Sequence, residues 1–256
     1  MGILNVTADS FSDGGRFLDP KRAIEHGLAL RADGARFVDV GGESTRPGAT
    51  PIAPDEELAR VMPVIEALVA EGVAVSIDTS KPEVMRAAIA AGCAVVNDVN
   101  GFRAAGAVEA VAKAEHVGLV VMHMKGTPQT MQKDPRYDDV VAEVSAFLVE
   151  RARTLEQAGV ARERIVIDPG FGFGKTVEHN KQLLHAMPRL AALGYPVLAG
   201  LSRKKMLGDF TGRAPGERSA ASVAAALLAV QNGASFVRVH DVRETVDAIN
   251  VWLALR

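Results

Sequence analysis

The sequence predicts an α/β protein in which eight parallel strands, each followed by a helix, close into a (β/α)8 barrel of the TIM type, with residues 1–256 forming one domain. Three observations carry this. A short β-branched run, a polar loop and a longer Ala- and Leu-rich amphipathic stretch recur eight times along the chain. The runs are apolar almost throughout instead of alternating, as expected of parallel strands covered by helices. No linker interrupts the repeat, which favours closure into a barrel over an open doubly wound sheet, the structural alternative.

The strand runs are Gly2 to Val6, Arg36 to Val40, Val73 to Asp78, Cys93 to Asp98, Val117 to Met122, Arg164 to Asp168, Pro196 to Gly200 and Ser235 to Val239. Helices are expected near 20–33, 54–71, 81–91, 103–115, 137–158, 176–193, 216–232 and 241–255. Gly34, Gly72, Gly92, Gly159, Gly194 and Gly233 fall where each helix hands over to a strand, the left-handed position that glycine fills at little steric cost. Pro54 and Pro82 fall near helix starts, where a missing N–H costs little.

Composition narrows the function. Of the residues, 48% are hydrophobic and 23% charged, with one Trp and two Tyr, so the core is aliphatic and the protein globular. A formal net charge of -2 gives no general attraction for nucleic acid or a membrane surface, so an anionic ligand must be met by a local cluster. The single cysteine, Cys93, opens an apolar run and is expected to be a buried thiol. There is no signal-peptide pattern at the start, and the most apolar stretch, Ala220 to Val230, is too short to span a bilayer. The expected compartment is the cytoplasm.

Polar residues gather after the strands, where a parallel barrel places its ligand groups. Asp78 and Asp168, with the amide of Asn97, end strands that aim at one axial pocket, whereas Asp98 and Asp241 are assigned to capping. Converging carboxylates need donors: a metal, arginines, or a ligand rich in N–H groups. No His/Cys metal motif is present. A heterocycle edge with an amino group beside a ring N–H would give one carboxylate two parallel bonds, so guanine-like or pterin-like rings fit. Arg46, Arg238, His240 and potentially Arg203 form a complementary cationic set suited to phosphate, unless they pair with Asp39, Glu43 or Asp241 on the rim. Gly170 to Thr176 looks like a phosphate-binding loop, but Pro169 stands where that pattern needs glycine; the glycines are expected instead to form a tight loop that exposes Phe173.

Taken together, these segments resemble the dihydropteroate synthase family. The match runs through Gly2 to Thr7, Asp9 to Gly15, Asp39 to Gly48, Ile77 to Pro82, Asn97 to Val99, Met122 to Met124, Asp168 to Lys175, Ser202 to Lys204 and Arg238 to His240. The resemblance implies a barrel, usually a homodimer, that is a transferase making 7,8-dihydropteroate and diphosphate from 6-hydroxymethyl-7,8-dihydropterin diphosphate and p-aminobenzoate.

By that resemblance Asp78, Asn97, Met122, Asp168, Phe173 and Lys204 hold the pterin, and Asn5, Arg46, Arg238 and His240 take the diphosphate. Asn5 would also ligate Mg2+ with help from Asp13, and Phe11, Thr45, Pro47 and Phe173 would enclose p-aminobenzoate, for which sulfonamides compete. The catalytic set is then Asp78, Asp168, Lys204, Asp13 and Arg46. Loss of diphosphate would leave a pterin-methyl cation near two carboxylates, and the uncharged aniline needs no strong base. Long loops after the first two strands are expected to close over bound diphosphate and complete the p-aminobenzoate site.

Three departures from the family pattern stand out. The sequence starts on the first strand without the usual N-terminal segment, Ala8 replaces a proline, and Lys205 stands where some relatives carry serine. The nearest alternative, a methyltetrahydrofolate:corrinoid methyltransferase, has no need of Arg46, Arg238 and His240. A silent pterin-binding protein would lose Asn5, Asp13 or Arg46.

Overall fold

A computed structural model describes residues 1–7 and 19–256. Strands β1 (Gly2–Asn5), β2 (Val38–Gly41), β3 (Val75–Asp78), β4 (Val95–Asp98), β5 (Gly118–Met122) and β6 (Ile165–Asp168) form a parallel sheet in chain order, and β7 (Leu198–Ala199) pairs in parallel with β8 (Phe236–Val237). Two single bridges complete the ring. Ile167 pairs with Val197 just before β7, and Gly2 pairs with Val239 just after β8. Across the second junction Ile3 donates to the Val239 carbonyl at 2.9 Å, and Val239 donates to that of Met1 at 3.0 Å. Every strand therefore has a neighbour on both sides, and the open sheet is excluded.

β7 and β8 are shorter than the sequence suggests. Pro196 has no N–H to donate, and Ser235 and Phe236 both donate to the one carbonyl of Val197, so the ladder there is irregular.

Helices α1 (Pro20–Ala32), α2 (Pro54–Ala70), α3 (Pro82–Ala90), α4 (Ala107–Ala112), α5 (Val140–Gln157), α6 (Val177–His185), α7 (Met187–Ala191), α8 (Lys205–Thr211), α9 (Ser219–Gln231) and α10 (Val242–Leu255) cover the barrel. Proline starts α1, α2 and α3, and the six hand-over glycines all have φ between 71° and 102°. Asp19 and Asp139 cap α1 and α5 with their carboxylates.

Three helices differ from expectation. α4 keeps only six residues, because Phe102 and Gly106 adopt left-handed φ values of 56° and 82° that no helix admits. The predicted 176–193 helix breaks into α6 and α7 around Ala186, where the following Pro188 cannot donate into the earlier turn. α8 lies where the sequence predicts only a binding loop, and it starts at Lys205 directly after Lys204.

Alternation along the strands divides the interior. Leu4, Val38, Val40, Ile77, Leu119 and Ile167 are fully buried in the layer shared with the helices, each worth roughly 1.5–3 kcal/mol of burial. Val95, Val120 and Leu198 pack in a separate cluster with Met1, Phe37, Val166 and Phe236. These plug the barrel below a polar storey. Cys93 is buried and its thiol is pushed up to about 12 by that burial, consistent with an inert core residue. Among the described residues no helix is long and apolar enough to cross a membrane.

Candidate active site

Above the apolar plug, β2, β3 and β4 bring Asp39, Asp78 and Asn97 together. Asn97 pairs in register with Asp78, and its Nδ2 donates to Asp39 Oδ2 at 3.2 Å. Arg238, arriving one residue past β8, donates Nε to the same Asp39 oxygen at 2.5 Å and Nη2 to Asp78 Oδ2 at 2.7 Å. One guanidinium thus spans two strands. Among the described residues the other oxygen of Asp39, the Asn97 Oδ1 and the Ser76 hydroxyl are buried and find no hydrogen-bond partner. Such groups carry a desolvation cost until a donor reaches them.

Asp168 stands beside Met122 in the β5–β6 register, and its Oδ1 accepts the Gly170 N–H at 2.7 Å. Met122, Met124 and Met131 pack with Phe173 to form an apolar wall, and the Lys204 Nζ lies 4.1 Å from the Phe173 ring centroid. The result is a slot with acids and an amide on its floor clasped by Arg238, an aromatic and methionine side, and Lys204 at its edge. Phe173 is half-buried in that wall, not exposed as the glycine pattern suggested.

The charges are tuned by burial. Burial raises Asp78 to about 7 against the opposing pull of Arg238, and raises Asp168 to about 6 against the Gly170 N–H and Lys204. Burial lowers Lys204 to about 8, with Asp168 opposing. Arg238 is held above its ordinary value, because the attraction of Asp39 and Asp78 outweighs its own desolvation. The acids are therefore poised to ionise when a donor-rich ligand arrives.

The rim corrects part of the expected cationic set. Arg203 is committed to Asp241 through Nη2 at 2.7 Å and Nε at 3.2 Å, so the rim pairing is realised there and Asp241 makes no side-chain cap on α10. His240 shares a 2.9 Å contact between Nδ1 and the Ser202 hydroxyl, and burial, then Arg203 and Arg238, lower it to about 4. It is neutral in this site. Arg238 keeps N–H donors beyond the two it spends on carboxylates. Lys205 is exposed and pairs with Asp209 at 3.1 Å, whereas Lys204 enters the slot. Asp98 is not the helix cap expected from the sequence: α4 starts only after Gly106, and Asp98 instead accepts the Asn100 and Phe102 N–H groups at 2.7 Å each, shaping the loop after β4.

The β2–α2 loop, residues 42–53, is rooted by ions. Lys81 bridges Glu43 at 2.5 Å and the fully buried Glu57, while Glu43 accepts the Ile52 N–H at 3.1 Å. Burial would lower the Lys81 pKa, but the hydrogen bonds to the two carboxylates raise it above the usual value. Farther out, Gly48 donates to Pro128 O at 3.0 Å and Gln129 to Ala49 O at 2.8 Å. Thr45 is half-buried, and Arg46 and Pro47 are exposed, with no ion pair to Arg46 among the described residues. Asn5 ends β1 with its Oδ1 near Gly41. Ala8, Phe11 and Asp13 lie outside the described residues.

Sequence reasoning missed Lys175. Its buried ammonium meets Gly170 O at 2.9 Å, Phe173 O at 3.0 Å, His123 O at 3.3 Å and His123 Nδ1 at 3.0 Å. This knot ties the loops after β5 and β6. Burial lowers Lys175 to about 7 and His123 to about 3, so the imidazole is neutral and accepts. A side chain on Gly170 would place Cβ 2.0 Å from the His123 carbonyl oxygen. The sequence carries the signal, since Lys175 closes a glycine-rich loop that lacks the phosphate-binding pattern.

A closed parallel barrel with an acid-and-amide slot and a basic rim at the C-terminal ends of its strands defines an enzyme that binds a flat, N–H-rich heterocycle. Residues 1–240 match the family model described as "Pterin binding enzyme", and the chain belongs to that family. It is 47% identical to the dihydropteroate synthase of Escherichia coli strain K12, over 98% of this chain and 89% of that protein. The Xanthomonas albilineans dihydropteroate synthase with 4-aminobenzoic acid is 57% identical with a TM-score of 0.93, covering 99% of this chain and 91% of the other. The Yersinia pestis enzyme in a sulfonamide drug complex is 43% identical with a TM-score of 0.94, covering 99% and 92%.

Proposed function

We propose that this protein is a dihydropteroate synthase, a folate-biosynthetic transferase that condenses 6-hydroxymethyl-7,8-dihydropterin diphosphate with p-aminobenzoate to give 7,8-dihydropteroate and diphosphate, with residues 1–256 working as one domain. The carrying observation is the slot: ionisable Asp78 and Asp168 and an unpartnered Asn97 acceptor face the Met122–Phe173 wall, with Lys204 at its edge. A reduced pterin presents ring N–H and amino donors along one edge to satisfy those acceptors, while its face lies on the apolar side.

The carbon–oxygen bond to diphosphate breaks before or as the amine attacks. Positive charge grows on the pterin methylene, and Asp78 and Asp168, held in a low-dielectric slot, stabilise it. Arg238 and Arg46 receive the leaving diphosphate, and the neutral His240 donates an N–H to it. The aniline attacks through its uncharged lone pair and loses a proton afterwards, so no buried base is required. Thr45, Pro47, Phe173 and Phe11 enclose p-aminobenzoate, where sulfonamides compete.

Among the described residues no group of three His, Cys, Asp or Glu side chains could hold a metal ion. A hard oxygen donor at Asn5 fits Mg2+ in company with a diphosphate, and Asn5, with Asp13, would hold it there. When bound it would neutralise charge on the departing diphosphate.

The exposed apolar side chains Leu228 of α9 and Val251 and Leu255 of α10 support a homodimer. The proposed compartment is the cytoplasm. Protein supplied with the pterin diphosphate, Mg2+ and p-aminobenzoate should release dihydropteroate and diphosphate in equal amounts. Folded protein that forms neither refutes the assignment.

A further inference from the structure

Lys204 reaches the slot from an unusual stretch of backbone. Arg203, immediately before it, is left-handed with φ 57°, a conformation that non-glycine side chains disfavour and that persists only where surroundings impose it. The imposing groups come from the start of α9 and the segment before it. Ser222 Oγ accepts the Arg203 N–H at 2.9 Å and donates to the Arg218 carbonyl at 2.6 Å. Arg218 Nη1 donates to the carbonyls of Arg203 and Lys204 at 3.2 and 3.3 Å, and its Nε donates to Arg213 O at 2.8 Å.

Those two carbonyls belong to the peptide planes on either side of the Lys204 Cα. Fixing both planes fixes φ and ψ of Lys204, and with them the direction in which its side chain leaves the backbone. The guanidinium occupies space that a side chain at Gly208 would need: a Cβ there would lie 2.1 Å from Arg218 Nη2. Glycine in α8 is costly for helix formation, and its presence under Arg218 gives it a packing reason.

We propose that Arg218 is a positioning residue, which sits over Gly208, clamps the peptide planes flanking Lys204 and thereby aims its ammonium into the heterocycle slot. The inference rests on the dihydropteroate synthase reading and adds a determinant of pterin affinity to it. Arg218 touches no substrate; it acts through Lys204. A simple brace between α8 and α9 would instead protect folding and leave the affinity of correctly folded molecules unchanged.

The test uses the full chain and the variants Arg218→Gln and Gly208→Ala, with folding checked by circular dichroism. KM for the pterin diphosphate should rise about tenfold in both, with kcat within about threefold of the parent, the pattern of lost binding in a folded enzyme. The alkaline limb of kcat/KM should also move to higher pH, because a Lys204 released from the slot regains water and titrates nearer an ordinary lysine. In Arg218→Ala, millimolar guanidinium should lower the raised KM while leaving the parent unaffected. If Arg218→Gln does not fold, Gly208→Ala decides, since it crowds the guanidinium without deleting it. Unchanged KM and pH limb in a folded variant overturn the proposal. Parent protein that makes no dihydropteroate refutes the functional reading instead, so the two failures are distinct.

Discussion

Asp168 shows how one side chain divides its service between stability and function. Buried and raised from 3.8 to about 6, it keeps a proton in the folded protein that the unfolded chain releases between those values. Stability should therefore fall as pH rises through that window, with the full penalty, on the order of 3 kcal/mol, present above it. Asp168→Asn keeps an oxygen for the Gly170 N–H and removes the penalty, so the empty variant should melt higher than the parent at pH 8 and nearly alike at pH 4, by calorimetry. The same variant should lose pterin affinity by about a hundredfold in equilibrium titration, as expected when a charged hydrogen-bond partner is removed from a buried site. A variant that binds pterin normally would remove Asp168 from the slot chemistry. At this scale the sequence was informative about Asp78, Asn97, Asp168 and Lys204, since each ends or follows a strand. It was less so about Arg203 and His240, because pairing with Asp241 and neutralisation by burial depend on neighbours distant in the chain.

The loops that carry these side chains obey local rules with different legibility. Turn glycines and helix-starting prolines were readable because φ preference is a property of the residue itself. The division into α6 and α7, the shortness of α4 and the existence of α8 were not, since short helices depend on packing more than on pattern. The loop after β6 offers a direct comparison. Gly170 and Gly159 have φ of 66° and 92°, so alanine strains both, but only Gly170 faces a carbonyl at 2.0 Å, whereas Gly159 faces open space. Gly159→Ala should cost about 1 kcal/mol in urea denaturation and Gly170→Ala at least about 3 kcal/mol, the difference measuring the close approach that Lys175 fastens. Equal losses would mean that the two loops after β5 and β6 are free to part. Lys175→Met should likewise raise the pterin KM by loosening the backbone that carries Phe173, with a change of about tenfold in steady-state kinetics.

As a whole molecule, the barrel was legible because eight repeats of one pattern admit few architectures, and its closure through Gly2 and Val239 follows from strand count. The outer surface was not, because exposed apolar residues on helices look like core residues in sequence. Val251 and Leu255 are 57% and 82% exposed on α10, and Leu228 is 49% exposed on α9. If this face joins two copies, Val251→Asp with Leu228→Glu should shift the protein from dimer to monomer in sedimentation velocity while leaving the slot folded. A parent that sediments as a monomer at micromolar concentration would remove the dimer from the proposal.

The clasp between Arg238 and the acids of β2 and β3 has a consequence for how the protein comes into being. Asp39 and Asp78 precede their shared guanidinium by 199 and 160 positions. While the chain leaves the ribosome, the first strands emerge bearing carboxylates whose counter-charge has not yet been synthesised, and an acid buried without its partner is strongly unfavourable. The nascent barrel is thus obliged to keep its mouth hydrated until the eighth strand arrives, and the slot forms in the same event that closes the ring. Half a barrel would hold its acids without the guanidinium that joins them.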